Sequence, residues 1–462
     1  MLELKNLQVA FDEKTIFRDV HMTLKPGEIT VLTGHSGCGK STLIRLLNGV
    51  IPHMTDANIQ GEILYNGKNI LPLSIEERSA FISTVFQNPK SQFYALQSTD
   101  EIAFAMENRG IPREEILSRI KKYATLLHAE ALLDRPLLEL SGGEKQLVAI
   151  LSVACLEQDV YIFDEPSSSL DAASIARLKE ALILLKKMGK IILVAEHRLY
   201  YLADIFDQFL VLADGVLHHY NQNTLNDSVI ARWQLRTLEQ LTLESVKKRD
   251  MPYRQVALCS TQDEEGKLLC AHYCFNYRKG KPVLNCSIGW QPGIHFIVGA
   301  NGVGKSTFLR YLCRLEKNRK GSTYYAHKEL RKMGQWISLV MQDVNMQLFT
   351  DSVWSEISIV SQDAAFKEKI LRDLELWDKR EAHPQSLSGG EKQRLTIALC
   401  KASPKPIVIF DEPTSGLCKK SMQKTIELIH DIANQGKTIL ITTHDMEFIQ
   451  ACGGQIVEFV RN

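Results

Sequence analysis

Four short strings occur twice in this chain, in the same order. GHSGCGKST at 34–42 is matched by GANGVGKST at 299–307, LSGGEKQ at 140–146 by LSGGEKQ at 387–393, and IFDEP at 162–166 by IFDEP at 409–413. A histidine closes each series, His197 after Glu196 and His444 after Thr443. Ser141 and Ser388, Asp164 and Asp411, and His197 and His444 all lie 247 positions apart, whereas Lys40 and Lys305 lie 265 apart. The second copy is therefore 18 residues shorter between its lysine and LSGGE. A duplication of this kind predicts two copies of one unit joined head to tail. The polar stretch containing ESVKKRD separates them, which gives a first domain at 1–225, a connector at 226–253 and a second domain at 254–462. Apolar residues around Val229–Leu243 predict that the connector is ordered on the first domain.

Strands alternate with helices in each copy. IILVA before Glu196 and TILIT before Thr443 are short β-branched runs of the kind buried in parallel sheets, so an α/β core is expected. Gly34 to Ser41 and Gly299 to Ser306 fit G-x-x-x-x-G-K-[ST], each after an apolar strand and before a helix. Gly34, Gly37, Gly39, Gly299, Gly302 and Gly304 would let backbone N–H groups close round phosphate oxygens, with the helix N-terminus adding positive potential. Lys40 and Lys305 would reach the β- and γ-phosphates, with Ser41 and Ser306 on Mg²⁺. Ser36, Thr42, Asn301 and Thr307 belong to the same candidate surface.

Val160–Phe163 and Ile407–Phe410 are apolar runs that end in Asp164-Glu165 and Asp411-Glu412. Carboxylates at the carboxyl end of a buried strand sit where ligands bind in open α/β sheets. The aspartate suits a Mg²⁺ shell and the glutamate can orient or deprotonate a water. Ser141-Gly142-Gly143-Glu144 and Ser388-Gly389-Gly390-Glu391 have the form of a helix capping box. Their glycines also expose backbone N–H groups at a positive helix end, a second phosphate-binding surface.

In that order, these motifs resemble the nucleotide-binding domains of ABC ATPases, twice over and across nearly the whole chain. The resemblance implies two tandem P-loop NTPase domains, each with an α/β core, an antiparallel β subdomain and an α-helical subdomain. It also implies ATP and Mg²⁺ as cofactors, and a head-to-tail intramolecular dimer in which the two copies share each nucleotide. One site then joins Lys40, Ser41, Gln87, Asp164, Glu165 and His197 to Ser388 and Gly390. The other joins Lys305, Ser306, Gln342, Asp411, Glu412 and His444 to Ser141 and Gly143. Gln87 and Gln342 fall in the metal shell, His197 and His444 at the γ-phosphate, and Phe11 and Tyr277 where the family stacks a ring on adenine.

The string from Val85 to Phe93, which holds Gln87-Asn88-Pro89 and Gln92, looks like that of energy-coupling-factor (ECF) importer ATPases. The likeness continues in DEIAFAMEN at 100–108, in AEHRLYYL from Ala195, and in the Gln342–Gln347 interval of the second copy. It implies a groove for a transmembrane coupling subunit, a separate substrate-binding membrane subunit, and a place on the cytoplasmic face of the membrane. The cargo class would be a vitamin, a vitamin precursor or a metal ion. Cys418 stands where the family expects an aspartate, the counterpart of Asp171, and in the family that aspartate faces the phosphate loop of the other copy. The copy-one site is therefore expected to hydrolyse more slowly or to couple less tightly than the copy-two site.

A rival class is a soluble tandem ABC ATPase acting on ribosomes or DNA; another is the ATPase of a conventional ABC transporter. Lys+Arg 55 against Asp+Glu 54 leaves a net charge of +1, without the basic excess that backbone binding to nucleic acid requires. Ten scattered cysteines, Cys270 and Cys274 around His272 included, read as reduced thiols rather than zinc ligands. MLELKNLQVAF reads as a first strand rather than a signal peptide, and no apolar run approaches the roughly 18 residues of a membrane-spanning helix. A cytosolic chain that meets the membrane through a partner is expected.

Overall fold

The computed structural model describes residues 1–12, 14–89, 92–168, 170–248, 251–258, 265–275, 284–300, 302–316 and 320–460. Met1–Gln240 forms one compact unit, and Leu241–Leu417 with Ser421–Asn462 forms a second.

In the first unit, Leu2–Phe11 pairs antiparallel with Lys14–Leu24 on one side and Asn58–Tyr65 on the other. Leu2, Leu4, Leu7 and Val9 are buried, while Glu3 and Lys5 point away from the core. The alternation of an antiparallel sheet with one covered face is thus kept. The main sheet has six strands, in the order Val216–Tyr220, Gln208–Ala213, Ile29–Thr33, Ile191–Ala195, Val160–Asp164 and Ile82–Val85. All pairs are parallel except the outermost hairpin, where Val216–Tyr220 runs antiparallel to Gln208–Ala213. Every residue of Ile29–Thr33 and Ile191–Ala195 is buried, because helices cover one face and the antiparallel sheet with the helix Lys40–Leu47 covers the other.

The helices Ser98–Asn108, Arg113–Leu126 and Gly142–Ala154 pack together on one side of this unit. Ile102, Met106, Ile120, Leu147 and Ile150 join Tyr161, Phe163 and Val194 of the sheet in one apolar cluster. The start of the connector packs on the same cluster through Ile230 and Leu235, whereas Leu243, expected on the first domain, packs beside Val246 in the second unit. There Asn226 caps the helix Asp227–Arg232, and the Trp233 indole donates to the Tyr220 hydroxyl at 2.8 Å.

The second unit repeats the plan with one change at its edge. Its main sheet runs Tyr253–Ala257, Gln455–Val460, Gly293–Val298, Thr438–Thr442, Ile407–Asp411 and Ile337–Val340. All of these pairs are parallel. The edge place that a C-terminal hairpin fills in the first unit belongs here to the incoming strand Tyr253–Ala257. An antiparallel sheet again lies alongside, built from Leu284–Trp290, Leu268–Phe275, Lys320–Tyr325 and Lys328–Glu329. The helices Val353–Ser358 and Ala364–Asp373 have 6 and 10 residues against 11 and 14 in the first unit, which accounts for part of the shortening. Among the described residues, no helix is long and apolar enough to cross a membrane.

Candidate nucleotide site

Each phosphate loop links a buried strand to a helix: Ile29–Thr33 to Lys40–Leu47, and Gly293–Val298 to Lys305–Leu312. The six loop glycines all have positive φ, the region that favours glycine. Space is also tight at the start of each loop. A Cβ on Gly34 would lie 2.3 Å from the Leu212 carbonyl oxygen, and one on Gly299 2.5 Å from that of Phe459. Gly39 and Gly304 precede the helices with no side-chain cap, so the first-turn N–H groups, those of Ser41, Thr42, Ser306 and Thr307 among them, face a possible anion. The Lys40 ammonium is buried, 3.3 Å from the Gly34 carbonyl and 3.4 Å from that of His35. Lys305 Nζ donates likewise to Gly299 at 2.7 Å and Ala300 at 3.2 Å. The loops coil round a buried cation whose natural counter-ion is a phosphate. Ser36 lies in the first loop; Asn301 lies outside the described residues.

The sheet brings the other polar groups to the same end. Asp164 closes the strand Val160–Asp164, and Glu165 follows with φ of 46°, left-handed for a non-glycine residue. Glu412 repeats it at 50°. Such strain clusters at functional sites, and two independent copies retain it here. His197 Nε2 lies 3.5 Å from Glu165 Oε1 and 3.1 Å from Lys40 Nζ, and the Gln87 side-chain amide donates to Glu165 at 2.9 Å. Burial pushes the Glu165 carboxyl up to about 8 and that of Asp164 up to about 6, against the pull of the Lys40 ammonium. Burial, then Lys40 and Arg236, hold His197 well below the usual histidine range, so its ring is neutral.

In the second copy, His444 Nε2 is 3.8 Å from Glu412 Oε1, and the Thr443 hydroxyl donates to Glu412 at 3.1 Å. Asp411 accepts from the Thr442 hydroxyl at 2.6 Å, and burial raises its carboxyl. Gln342 is exposed at the end of Ile337–Val340. Each copy thus offers one hydroxyl, one carboxamide and one carboxylate to a cation. No group of three or more His, Cys, Asp or Glu side chains fit to hold a metal occurs among the described residues. That donor set is too sparse for an all-protein cage and fits Mg²⁺, which keeps waters and binds substrate phosphates.

The LSGGE segments begin the helices Gly142–Ala154 and Gly389–Ala402. Glu144 accepts from Ser141 N at 2.7 Å and from Arg135 at 2.8 Å; Glu391 accepts from Ser388 N and Oγ, each at 2.9 Å. Gly142 and Gly389 open their helices. A Cβ on Gly143 would lie 1.9 Å from Ser174 Oγ, and one on Gly390 3.2 Å from Ser421 Oγ. Gly143 is therefore required by helix packing as well as by any anion. Phe11 ends its strand half-buried against the cluster that holds Cys38 of the phosphate loop; Tyr277 lies outside the described residues.

A pair of glutamines positions the segments that follow Gln87 and Gln342. Gln92 accepts from Phe86 N and donates to the Thr84 carbonyl, both at 3.3 Å. Gln347 accepts from Met341 N at 2.8 Å and donates to the Leu339 carbonyl at 2.7 Å. Their place five residues after the first glutamine was the signal in the sequence; the latch itself is a matter of loop geometry.

With this geometry in hand, comparison with known proteins decides the family. The family model described as ABC transporter matches residues 17–168 and 286–415, more than half of the chain. The chain belongs to the ABC transporter family. A relative in Treponema denticola, provisionally named an ABC transporter ATP-binding protein, is 38% identical over 476 residues, covering 99% of this chain and 96% of its own. A Bacillus subtilis relative with the provisional name HMP/thiamine import ATP-binding protein YkoD is 30% identical over 491 residues, covering 99% of this chain and 89% of its own. The solved structure of an RNase-L inhibitor shares the fold at a TM-score of 0.60 and 20% identity, covering 98% of this chain and 87% of that one. This member of the ABC transporter family is an ATPase with two tandem ATP-binding domains and uses ATP with Mg²⁺.

Proposed function

We propose that this ATPase is the double ATP-binding subunit of an ECF-type importer of a vitamin, a vitamin precursor or a metal ion, held on the cytoplasmic face of the membrane. Its partners are a transmembrane coupling subunit and a substrate-binding membrane subunit, and nucleic acid is not among them. The observation that carries the reading is the apolar surface beside each glutamine latch. Tyr94 and Leu96 are 77% and 78% exposed, and Met346 and Phe349 are 75% and 76% exposed. Large apolar side chains grouped on the surface mark an interaction site. Glu101 fixes one segment by accepting from Tyr94 N and Ala95 N at 2.8 Å, and Glu356 accepts from Thr350 N at 3.0 Å and Phe349 N at 3.3 Å. The import role named for the Bacillus subtilis relative supports the same reading.

In this reading Lys40 and Lys305 hold the β- and γ-phosphates, and the loop and first-turn N–H groups hold the rest of the chain of phosphates. Ser41, Gln87 and Asp164 hold one Mg²⁺, and Ser306, Gln342 and Asp411 the other. The metal supplies charge neutralisation at the phosphates. Glu165 and Glu412 take a proton from the attacking water, and His197 and His444 meet the γ-phosphate. By the resemblance, Ser388 with Gly390 and Ser141 with Gly143 complete the two sites from the opposite copy. Domain closure on ATP and reopening on hydrolysis then do the transport work.

Replacing Tyr94 and Phe349 by glutamate tests the surface. The variant is expected to keep its thermal midpoint and to leave the membrane fraction of its host. Retention at the membrane would contradict the proposal.

A further inference from the structure

The loops that carry His197 and His444 are built from different residues, yet each ties itself to the loop behind the catalytic glutamate. In the first copy the tie is Glu196, which is 2% exposed. Its Oε1 accepts from His197 N at 2.8 Å and Arg198 N at 3.1 Å. Its Oε2 accepts from the Tyr201 hydroxyl at 2.9 Å and from Ser167 N at 3.3 Å. Ser167 lies two residues beyond Glu165, so one carboxylate spans the histidine loop and the glutamate loop.

The constant spacing of 247 makes Thr443 the counterpart of Glu196, Asp445 that of Arg198, Phe448 that of Tyr201 and Thr414 that of Ser167. In the second copy Asp445, also buried, accepts from the Thr414 hydroxyl at 2.9 Å and from Phe448 N at 3.1 Å. The carboxylate has moved two positions along the chain, yet it reaches the same two loops. Arg198 takes the place Asp445 has in the other copy and donates to the Ser167 and Leu170 carbonyls at 3.3 Å and 3.2 Å. The tyrosine hydroxyl appears only in the copy whose carboxylate needs it. Two solutions to one geometric requirement, with three positions exchanged together, indicate that the requirement is specific.

We infer that Glu196 is a positioning residue for the first copy's ATP hydrolysis, fixing His197 relative to Glu165, and that Asp445 is its equivalent in the second copy. The inference rests on the reading of Glu165 and His197 as the catalytic pair. A buried carboxylate that satisfies four donors holds both loops more tightly than packing would, and a displacement of about 1 Å at such a pair costs up to roughly a hundredfold in rate.

The test is steady-state ATP turnover of the full-length chain in a Glu412→Gln background, where the turnover read is that of the first copy's site, with thermal midpoints measured beside it. Glu196→Thr is expected to lower kcat between about ten- and a hundredfold, with KM for ATP held within about twofold. The triple variant Glu196→Thr, Arg198→Asp, Tyr201→Phe, which installs the second copy's set, is expected to regain most of that loss. A merely structural role would not be rescued in this way. Unchanged kcat in Glu196→Thr, or equal loss in the single and triple variants at unchanged midpoints, overturns the inference. Should Glu196→Thr fail to fold, Glu196→Gln replaces it: a slow Gln variant beside an active triple supports the inference, and equal rates contradict it. Glu165→Gln run in parallel separates the two readings, since full turnover there sinks the catalytic assignment itself.

Discussion

The Lys40 ammonium and the His197 imidazole meet at 3.1 Å between Nζ and Nε2. An ammonium only donates, so Nε2 accepts and the ring is neutral with its proton on Nδ1. Burial, followed by the charges of Lys40 and Arg236, works against a second proton.

The native chain therefore resists protonation of His197 where the unfolded chain, with an ordinary value of 6.5, accepts it. Stability contributed by the neutral ring is present above that value and is lost as pH falls below it. Without nucleotide, His197→Gln should make the thermal midpoint of the first unit less sensitive to acid between about pH 7 and pH 5, because the opposing gain from the raised Asp164 and Glu165 carboxyls is common to both proteins. An equal slope in both proteins would refute the assignment.

Asp171 caps the helix Ala172–Lys187, accepting from Ser174 N at 2.9 Å. Cys418 precedes the corresponding helix Lys419–Asn434, and a thiol is a poor acceptor. Asp171→Ala should cost about 1 kcal/mol, and Cys418→Ala about half of that or less, in urea unfolding of the full chain.

A methyl group on Gly143 runs into Ser174 Oγ, whereas one on Gly389 meets nothing within 4 Å. Gly143→Ala should destabilise by about 1–3 kcal/mol, relieved in part by Ser174→Ala. Gly389→Ala should fold with a nearly unchanged midpoint. Equal midpoints for the two glycine variants would contradict the packing argument.

If Cys418 weakens the site that contains Lys40, the two copies contribute unequally. Glu412→Gln should then remove more steady-state ATP turnover than Glu165→Gln. Equal losses would mean that the cysteine has no catalytic consequence.

The local geometry of the two phosphate loops, the strand-end carboxylates and the capped LSGGE helices was legible because each uses a local pattern: a glycine spacing, a strand ending in acid pairs, a capping box. The edge of each sheet was not. Whether Val216–Tyr220 or Tyr253–Ala257 closes the sheet depends on pairing between distant segments, which no local pattern shows. Gly143 was read for its backbone N–H, since nothing local in the sequence shows Ser174 above it. The exchange of Glu196 and Asp445 was hidden for a different reason. Residues at equal offsets look unrelated until their carboxylates are seen to reach the same loops.

We propose that this ATPase drives a membrane importer. Tagging the chain in its own host, solubilising membranes in mild detergent and identifying what co-purifies by mass spectrometry tests it most directly. Two small hydrophobic membrane proteins, one a coupling subunit and one a substrate-binding subunit, are predicted. Recovery from the soluble fraction with ribosomal proteins or DNA repair factors would contradict the account.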